Sequence, residues 1–474
     1  MFKKVKDKIN GDLHLKELLM GSSTSFIFKI IGMGFGYIFV LLLTRNYGAK
    51  IMGVFALSLV LLQVGSIIGR MGMDNAVLRL VAEYNSQNKK DMAYNIYKKI
   101  IKLIIPISFT ISFIIFFSSP YIAKFIFHKN YLSNYFRIIA MGIVPYVLFI
   151  INSESIRGLK KIKEYAFLQN MGVYFVASIF MGLSLFILKN NYIPILIYIV
   201  SIIIMTLLSF FLWFKQIYSK NFVKNFIGNI TKKKDKYILK VDNPETQIIT
   251  LVDNKSKTIA ISYKNILSIS TPMLISGSLS FFLGLIDIAL IGVFKTSSAV
   301  GVYSVAMKVS SVVVLSLGAI NTIAAPKFAE FWAKGDKKGL LKVARQSTKI
   351  IFFISFPILI FVLIFPDYIL KFFGHGFKEG AIALIMLTFG QFINAVSGSV
   401  GYILEMTGFQ LFTQNIMIIS VIINILLNLL LIPKYSIEGA AFASMITVIF
   451  WNLIMGIKVK SILGDWIFYI PKMN

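Results

Sequence analysis

Cysteine is absent from the 474-residue chain, and only three histidines occur, His14, His128 and His375. Without thiols the chain can form neither disulfides nor thiolate metal sites, and three widely separated imidazoles match no metal-binding spacing. The sequence also lacks a Gly-Lys-Ser/Thr phosphate-binding loop, which argues against ATP hydrolysis by this chain. We therefore predict no metal, no cofactor and no enzymatic activity.

Charged residues are scarce as well: they make up 15% of the chain, whereas 57% is hydrophobic and the mean hydropathy is +0.78. Soluble domains are about a quarter charged. Runs such as Tyr165–Leu188 and Ile193–Phe214 carry no charge and are long enough to cross a bilayer as helices. The sequence predicts an all-α integral protein of the cell membrane with about twelve transmembrane helices. The predicted spans are Leu18–Leu43, Ile51–Met73, Ile100–Ala123, Ser133–Ser155, Tyr165–Leu188, Ile193–Phe214, Ile266–Phe294, Ala299–Pro326, Lys349–Leu370, Ala381–Leu404, Phe409–Ile432 and Ile437–Ile457.

Acidic residues number only 20 against 49 Lys and Arg, a net charge of +29. The basic residues lie between apolar spans instead of clustering on a soluble face, so we reject a nucleic-acid partner. Of the 49, 36 fall in the termini and one set of alternate connections, 10 in the opposite set, and three inside spans. By the positive-inside rule both termini are predicted to be cytoplasmic. The basic-poor connections, near 45–50, 124–137, 189, 295, 371–378 and 434, define the predicted outer face.

The chain repeats itself. The segment Gly53-Val-Phe-Ala resembles Gly301-Val-Tyr-Ser at an offset of 248, and Phe167-Leu-Gln-Asn resembles Phe412-Thr-Gln-Asn at an offset of 245. Six spans per half make this a parallel repeat, and transporters with such repeats usually place the substrate between the halves. We predict two six-helix lobes around a central cavity, over residues 1–214 and 266–474.

Residues 215–265 form the longest polar connection. Its start is basic, and its remainder alternates like short strands separated by Asp-Asn turns. This pattern predicts a small cytoplasmic β flap, and a disordered basic linker is the alternative.

Four segments carry a resemblance to a known family. They are Leu43-Thr-Arg-Asn-Tyr-Gly, Asp287-Ile-Ala-Leu-Ile-Gly-Val-Phe, Pro326-Lys-Phe-Ala and Ile432-Pro-Lys-Tyr-Ser-Ile-Glu-Gly-Ala-Ala. In these segments, and in their order along the whole chain, the sequence resembles the polysaccharide flippase family (Wzx type) of the multidrug/oligosaccharidyl-lipid/polysaccharide exporter superfamily. The long connection 215–265 departs from the short one usual in that family.

The resemblance implies a flippase that moves a polyprenyl-diphosphate-linked oligosaccharide from the cytoplasmic to the outer leaflet by alternating access. The partners it implies are membrane lipids, the lipid-linked substrate, and a glycan polymerase or glycosyltransferases. Two other functions stay open: a cation-coupled multidrug antiporter of the same superfamily, and a membrane scaffold for glycan-assembly enzymes that transports nothing.

Charged residues inside spans are the first candidates for a functional site, because a charge at the bilayer centre costs at least ~2.5–3.5 kcal/mol. Lys29 lies midway along the first span, and Asp287 and Lys308 lie at similar depth in spans seven and eight. Lys29 and Lys308 are candidates for binding the diphosphate, and Asp287 for ion coupling. The alternatives are a snorkelling Lys29 and a structural ion pair between Asp287 and Lys308.

Weaker candidates surround these three. Arg45 lies at the outer membrane edge, where it would contact substrate, headgroups or solvent. Polar side chains of the second half suit either a hydrated sugar-accepting cavity or ordinary interhelical hydrogen bonds. They are Gln391, Asn394, Asn424 and Asn428. Two interfacial ion pairs are expected at helical spacing, Arg70 with Asp74 and Glu154 with Arg157.

The predicted orientation is testable because the chain has no cysteine of its own. A single Cys introduced between Lys232 and Lys257 should react with a membrane-impermeant maleimide only after the cells are opened. A Cys at Lys371, on the predicted outer face, is the matched control and should react on intact cells. Labelling of the 232–257 position on intact cells would reverse the topology.

Overall fold

The computed structural model describes residues 13–187, 190–217, 270 and 283–469. Every regular element in these residues is helical, as the sequence predicts, whereas the predicted β flap at 215–265 lies almost wholly outside them. The elements, in chain order, are α1 (Leu13–Arg70), α2 (Met73–Ser86), α3 (Lys90–Tyr121, continued by a π-helical turn Ile122–Ile126), α4 (Leu132–Met141), α5 (Ile143–Gly158), α6 (Ile162–Ala166, continued by a π-helical turn Phe167–Gly172), α7 (Val173–Ile187), α8 (Ile193–Ile217), α9 (Leu283–Phe294), α10 (Ser297–Ser310, continued by a 3-10 turn Ser311–Val314), α11 (Leu315–Ala333), α12 (Lys337–Ile364), α13 (Pro366–Lys371, followed by a 3-10 turn His375–Gly380), α14 (Ala381–Val396), α15 (Val400–Met406) and α16 (Gln410–Leu463).

Two of these helices are far longer than a membrane is thick. The 58 residues of α1 would extend about 87 Å if straight, against a hydrocarbon core of about 30 Å. Non-helical backbone breaks α1 at Gly48 and α16 at Ser436. Both breaks fall where the sequence predicts short connections, near 45–50 and 434. Each long helix is therefore two membrane-length helices joined by a tight kink.

The surface is that of a multi-pass membrane protein. Among the described residues, nine helices are long and apolar enough to cross a bilayer, and two of these contain the kinks. Large apolar side chains of α3 and α8, such as Phe109, Phe117 and Phe211, are more than half exposed. In a soluble protein such a surface would aggregate, whereas in a membrane it meets acyl chains. The count of twelve spans stays a prediction.

The two halves, residues 13–217 and 283–469, meet most closely where α1 crosses α10. A Cβ atom at Gly53 would overlap the backbone of Ser297 and Gly301, and one at Gly301 would overlap the backbone of Ala49 and Gly53. Ala49 and Ser297 are themselves 248 residues apart, as are Gly53 and Gly301. Gly53 thus contacts Ser297, and its repeat equivalent Gly301 contacts Ala49, the repeat equivalent of Ser297. Because the two contacts are equivalent, a pseudo-twofold axis passes between the two glycines.

Hydrogen bonds close the predicted outer face around this crossing. Arg45 Nε donates to the Phe372 carbonyl oxygen at 2.8 Å, and Lys129 Nζ to the Gly292 carbonyl oxygen at 2.6 Å. The Tyr131 and Ser297 hydroxyl oxygens are 2.8 Å apart. Each of these bonds joins one half of the chain to the other. Together with the glycine crossing and the bond from Lys308 Nζ to the Gly36 carbonyl oxygen, which lies deeper between α1 and α10, they form the seal, the name we use below for this set of contacts.

The glycine crossing gives a testable prediction. Gly301→Ala should force α1 and α10 apart, because backbone atoms, which cannot rotate away, occupy the position of the new Cβ. A Cys introduced at position 297 should then react faster with an impermeant maleimide in the Gly301→Ala variant than in the chain that keeps Gly301.

The matched control is Gly284→Ala, since nothing lies within 4 Å of the Cβ position there. Equal labelling rates in the Gly301→Ala and Gly284→Ala backgrounds would contradict the assignment of Gly301 to the seal.

Candidate functional site

Asp287 on α9 is the centre of a buried polar cluster, and its side chain is 1% exposed. The Tyr303 hydroxyl donates to Asp287 Oδ2 at 2.6 Å, and Asn428 Nδ2 donates to Oδ1 at 2.8 Å. The Ser444 hydroxyl also donates to Oδ2. The three donors come from α10 and from both sides of the kink in α16. The carboxylate therefore joins three segments of the second half.

A cavity of about 220 Å³ opens beside this carboxylate, within the second half. Gln391, Asn424 and Thr447 line it together with Asp287 and Ser444. The Oδ1 atom of Asn428 is buried and has no hydrogen-bond partner among the described residues. A buried oxygen without a hydrogen-bond partner, next to a carboxylate, destabilises the fold unless a water, a protonated group or a cation binds to it. The site can thus accept a small positively charged ligand.

Lys308 has different partners, so the predicted alternative of an ion pair with Asp287 is not what the structure has. Its Nζ donates to the Gly36 carbonyl oxygen at 2.9 Å. The same nitrogen lies 4.8 Å from the ring centroid of Tyr174 and 5.5 Å from that of Tyr37. Tyr37 in turn donates its hydroxyl to the Lys308 carbonyl oxygen at 2.7 Å. The ammonium is thus part of the seal between α1 and α10.

Lys29 is exposed and lies on α1 before Gly36, further along the helix from the glycine crossing. Its Nζ is 3.2 Å from the position that a Cβ would take at Gly318 on α11. The ammonium therefore faces the second half across the interface. Seven residues separate Lys29 from Gly36, which is about 10 Å along α1.

The remaining predicted candidates have structural partners. Arg45 lies at the predicted outer face, where its guanidinium also stacks on the Phe372 ring at 5.4 Å. Asn394 accepts a hydrogen bond from Asn452 Nδ2 at 3.2 Å, the interhelical bond that was its simpler interpretation. Gln391, Asn424 and Asn428 gather around Asp287 instead of lying between the halves.

Sequence inspection missed Tyr303 and Ser444, which complete the cluster. The signal that identifies them is asymmetry between the repeats. At the offset of 248, Asp287 corresponds to Phe39 and Tyr303 to Phe55. Phe39 and Phe55 pack together in the first half, with ring centroids 5.4 Å apart. The same place in the fold therefore holds a carboxylate and a phenol in one half and two apolar rings in the other.

Comparisons with known proteins agree with this architecture. The family model MatE matches residues 25–183, and the model "Polysaccharide biosynthesis protein" matches residues 249–380. The chain is 28% identical, over 39% of its length, to the probable low-salt glycan biosynthesis flippase of Haloferax volcanii. That match spans 40% of the length of the relative.

Two solved structures share the fold over nearly the whole chain. An inward-facing multidrug resistance MATE family transporter of the MOP superfamily superposes with a TM-score of 0.74 at 12% identity, over 94% of this chain and 98% of that one. The lipid II flippase MurJ in its inward closed conformation gives 0.66 at 15% identity, over 93% and 87%. This chain therefore has the fold of these two transporters. The helical membrane fold that the resemblance in the sequence implies is thus confirmed.

The cluster around Asp287 yields a prediction about stability. Asp287→Asn should lower the free energy of unfolding by about 1–3 kcal/mol, because an amide has one acceptor oxygen for three donors. Asp367→Asn changes an exposed carboxyl and should leave the melting temperature of the detergent-solubilised protein unchanged.

The double variant Asp287→Asn with Lys308→Gln tests the pairing. Since the two residues share no partner, their effects on the melting temperature should add. Recovery of stability in the double variant would restore the ion-pair hypothesis.

Proposed function

We propose that this protein is a flippase for a polyprenyl-diphosphate-linked oligosaccharide, working outward across the cell membrane by alternating access. A glycan headgroup cannot cross hydrocarbon unaided, because its hydroxyl and phosphate groups would lose their hydrogen bonds. A polar path between the halves removes that penalty while the polyprenyl chain stays in lipid. Two similar proteins, a probable low-salt glycan biosynthesis flippase and a lipid II flippase, support this class of substrate.

The observation that carries the proposal is the arrangement of two ammonium groups along the interface of the halves. Lys308 lies within the seal and Lys29 about 10 Å further from it. Neither forms a salt bridge with any described residue. A diphosphate supplies the negative charges that both lack, and Lys is a common point-charge ligand for phosphate.

The neutral partners of Lys308 suggest how the substrate could open the seal. Its Nζ is held by one carbonyl oxygen and two aromatic faces, each a weaker partner than a diphosphate oxygen. A diphosphate arriving from Lys29 would take over the ammonium and release Gly36. The bond from Lys308 to Gly36, which belongs to the seal, would then be exchanged for a bond from Lys308 to the substrate.

We further propose that the Asp287 cluster couples transport to ion movement. Its carboxylate, its cavity and the unpaired oxygen of Asn428 suit a proton or a monovalent cation. Three of the donors and acceptors lie on α16, so occupation of the site changes how α16 packs on α9 and α10. The membrane potential would add about 2.3 kcal/mol per 100 mV for each charge moved.

A cation-coupled multidrug antiporter is the second candidate, favoured by the MatE match over residues 25–183. An organic cation needs a carboxylate in the substrate path, whereas this interface presents Lys29 and Lys308. Phe39 and Phe55 occupy the place in the first half that Asp287 and Tyr303 hold in the second. These residues favour an anionic substrate. The scaffold function predicts no transport at all.

Deleting the gene and analysing membrane lipids by mass spectrometry tests the proposal. A lipid-linked oligosaccharide should accumulate in the deletion strain, and the wild-type gene should clear it. Lys29→Arg should restore part of the export, whereas Lys29→Ala and Lys29→Gln should restore almost none, because they remove the charge that meets the diphosphate.

Lys102→Gln, which removes an exposed ammonium from α3, is the matched control and should restore export fully. All levels are normalised to the amount of protein in the membrane. Full export by Lys29→Ala would exclude Lys29 as the anion site, and the absence of any accumulated lipid-linked sugar would exclude the flippase.

A further inference from the structure

A second polar cavity, of about 640 Å³, opens on the predicted outer face beside the seal. Its walls come from both sides of the kink in α1, the turn before α4, α4 itself and the turn before α8. They include four tyrosines, three asparagines, one serine and one lysine among eleven residues. No acidic residue lines it. From this cavity we infer a saccharide-binding site on the outer face of the first half.

The tyrosines of the cavity are arranged as binding surfaces. The rings of Tyr135 and Tyr192 have centroids 4.5 Å apart, and Tyr135 is only 7% exposed. Tyr131 is 44% exposed and carries Lys50 Nζ over its ring, 5.1 Å from the centroid. The site thus offers one aromatic pair as a floor, of which Tyr135 is buried and Tyr192 half-buried. One exposed ring forms the rim, with an ammonium over it.

These groups match the chemistry of a sugar ring. A pyranose has apolar C–H faces, which lie well on tyrosine rings, and a rim of hydroxyls that both donate and accept hydrogen bonds. Asn130, Asn134 and Asn191 each supply donors and an acceptor. The volume lies within the 300–1,000 Å³ usual for small-molecule sites. A separate cavity in the second half, lined by Phe361, Phe365 and four other residues, is almost wholly aromatic or aliphatic and suits acyl chains instead.

Tyrosines are common at the membrane–water interface of membrane proteins, so their presence alone does not indicate a saccharide-binding site. The repeat argues that the fold does not require them here. At the offset of 248, Tyr135 corresponds to Ala383, and at the offset of 245, Tyr192 corresponds to Ile437. Both equivalents are buried and apolar. The aromatic floor is thus a property of the first half alone.

The cavity also touches the moving interface. Tyr131 bonds Ser297 of the second half, 2.8 Å away, within the seal. When the seal opens, this hydroxyl becomes available to a ligand. The biological role that follows rests on the proposed flippase function: the site would hold one or two sugars of the headgroup as it reaches the outer face, with Lys50 favouring an acidic sugar.

Saturation-transfer NMR on the full chain in lipid nanodiscs tests the site directly. The probes are N-acetylglucosamine and glucuronate, with the open-chain polyol sorbitol as the negative probe. Ring C–H protons of both pyranoses should receive saturation, and sorbitol should receive none. Tyr192→Ala and Asn134→Ala should each reduce the saturation at least fivefold. Asn134 is exposed, so its variant keeps the test valid if Tyr192→Ala does not fold.

Two further variants sharpen the test. Lys50→Gln should lower the saturation of glucuronate and leave that of N-acetylglucosamine unchanged. Tyr368→Ala removes a 75% exposed tyrosine from the same face, outside this cavity, and should change nothing. Saturation that survives both Tyr192→Ala and Asn134→Ala, or that falls equally in Tyr368→Ala, would show that belt tyrosines adsorb sugar unspecifically and would overturn the site.

The two proposals can fail separately. Accumulated lipid-linked sugar in the deletion strain, without saturation of either pyranose, would leave the flippase intact and exclude this site. Site-dependent saturation without any accumulated lipid-linked sugar would establish the saccharide site and exclude the flippase.

Discussion

The close crossing of α1 and α10 sets the geometry of the interface between the halves. Gly53 and Gly301 bring backbone against backbone, and no side chain can be inserted between them without separating the helices. The hydrogen bonds of the seal depend on that spacing, since each has a length between 2.6 and 2.9 Å. Packed contacts of this kind are either made or broken and do not stretch continuously. The seal is therefore suited to a two-state transporter.

The two halves are repeats of each other, but the residues at equivalent buried positions differ in polarity. The second half holds a carboxylate in contact with three donors, where the first half holds packed aromatic rings. A buried carboxylate tolerates removal from water only with such partners, whereas the aromatic pair needs none. Under the proposed ion coupling, the second half would respond to a proton or cation at Asp287, whereas the first half has no carboxylate at the equivalent place, Phe39.

The sequence predicts much of this fold but not which neighbours its polar side chains meet. Run length and charge bias predict a helical membrane fold with short connections near Gly48 and Ser436, where the structure has kinks. Helical spacing predicts the ion pair Arg70–Asp74, which the structure has at 2.7 Å. Depth in the membrane selected Asp287 and Lys308, but depth does not say which way a side chain points around its helix. The two charges share a level and face different neighbours. Tyr303 escaped notice because a tyrosine in an apolar run resembles packing until the repeat shows phenylalanine in its place.

The partners of Lys308 would connect the seal to the proposed substrate. Its ammonium lies inside the membrane and meets only a carbonyl oxygen and two ring faces among the described residues. Such partners stabilise a cation less than an anion does, so the closed seal keeps a charge incompletely compensated. A ligand shifts a conformational equilibrium only by the difference in its affinity for the two states. Under the proposed function, an anion that reaches Lys308 only after the bond to Gly36 breaks would bind the open state better, and its binding energy would drive the opening. A neutral or cationic substrate would have no such advantage at this residue, so on that proposal Lys308 would link the opening of the seal to the charge of the substrate.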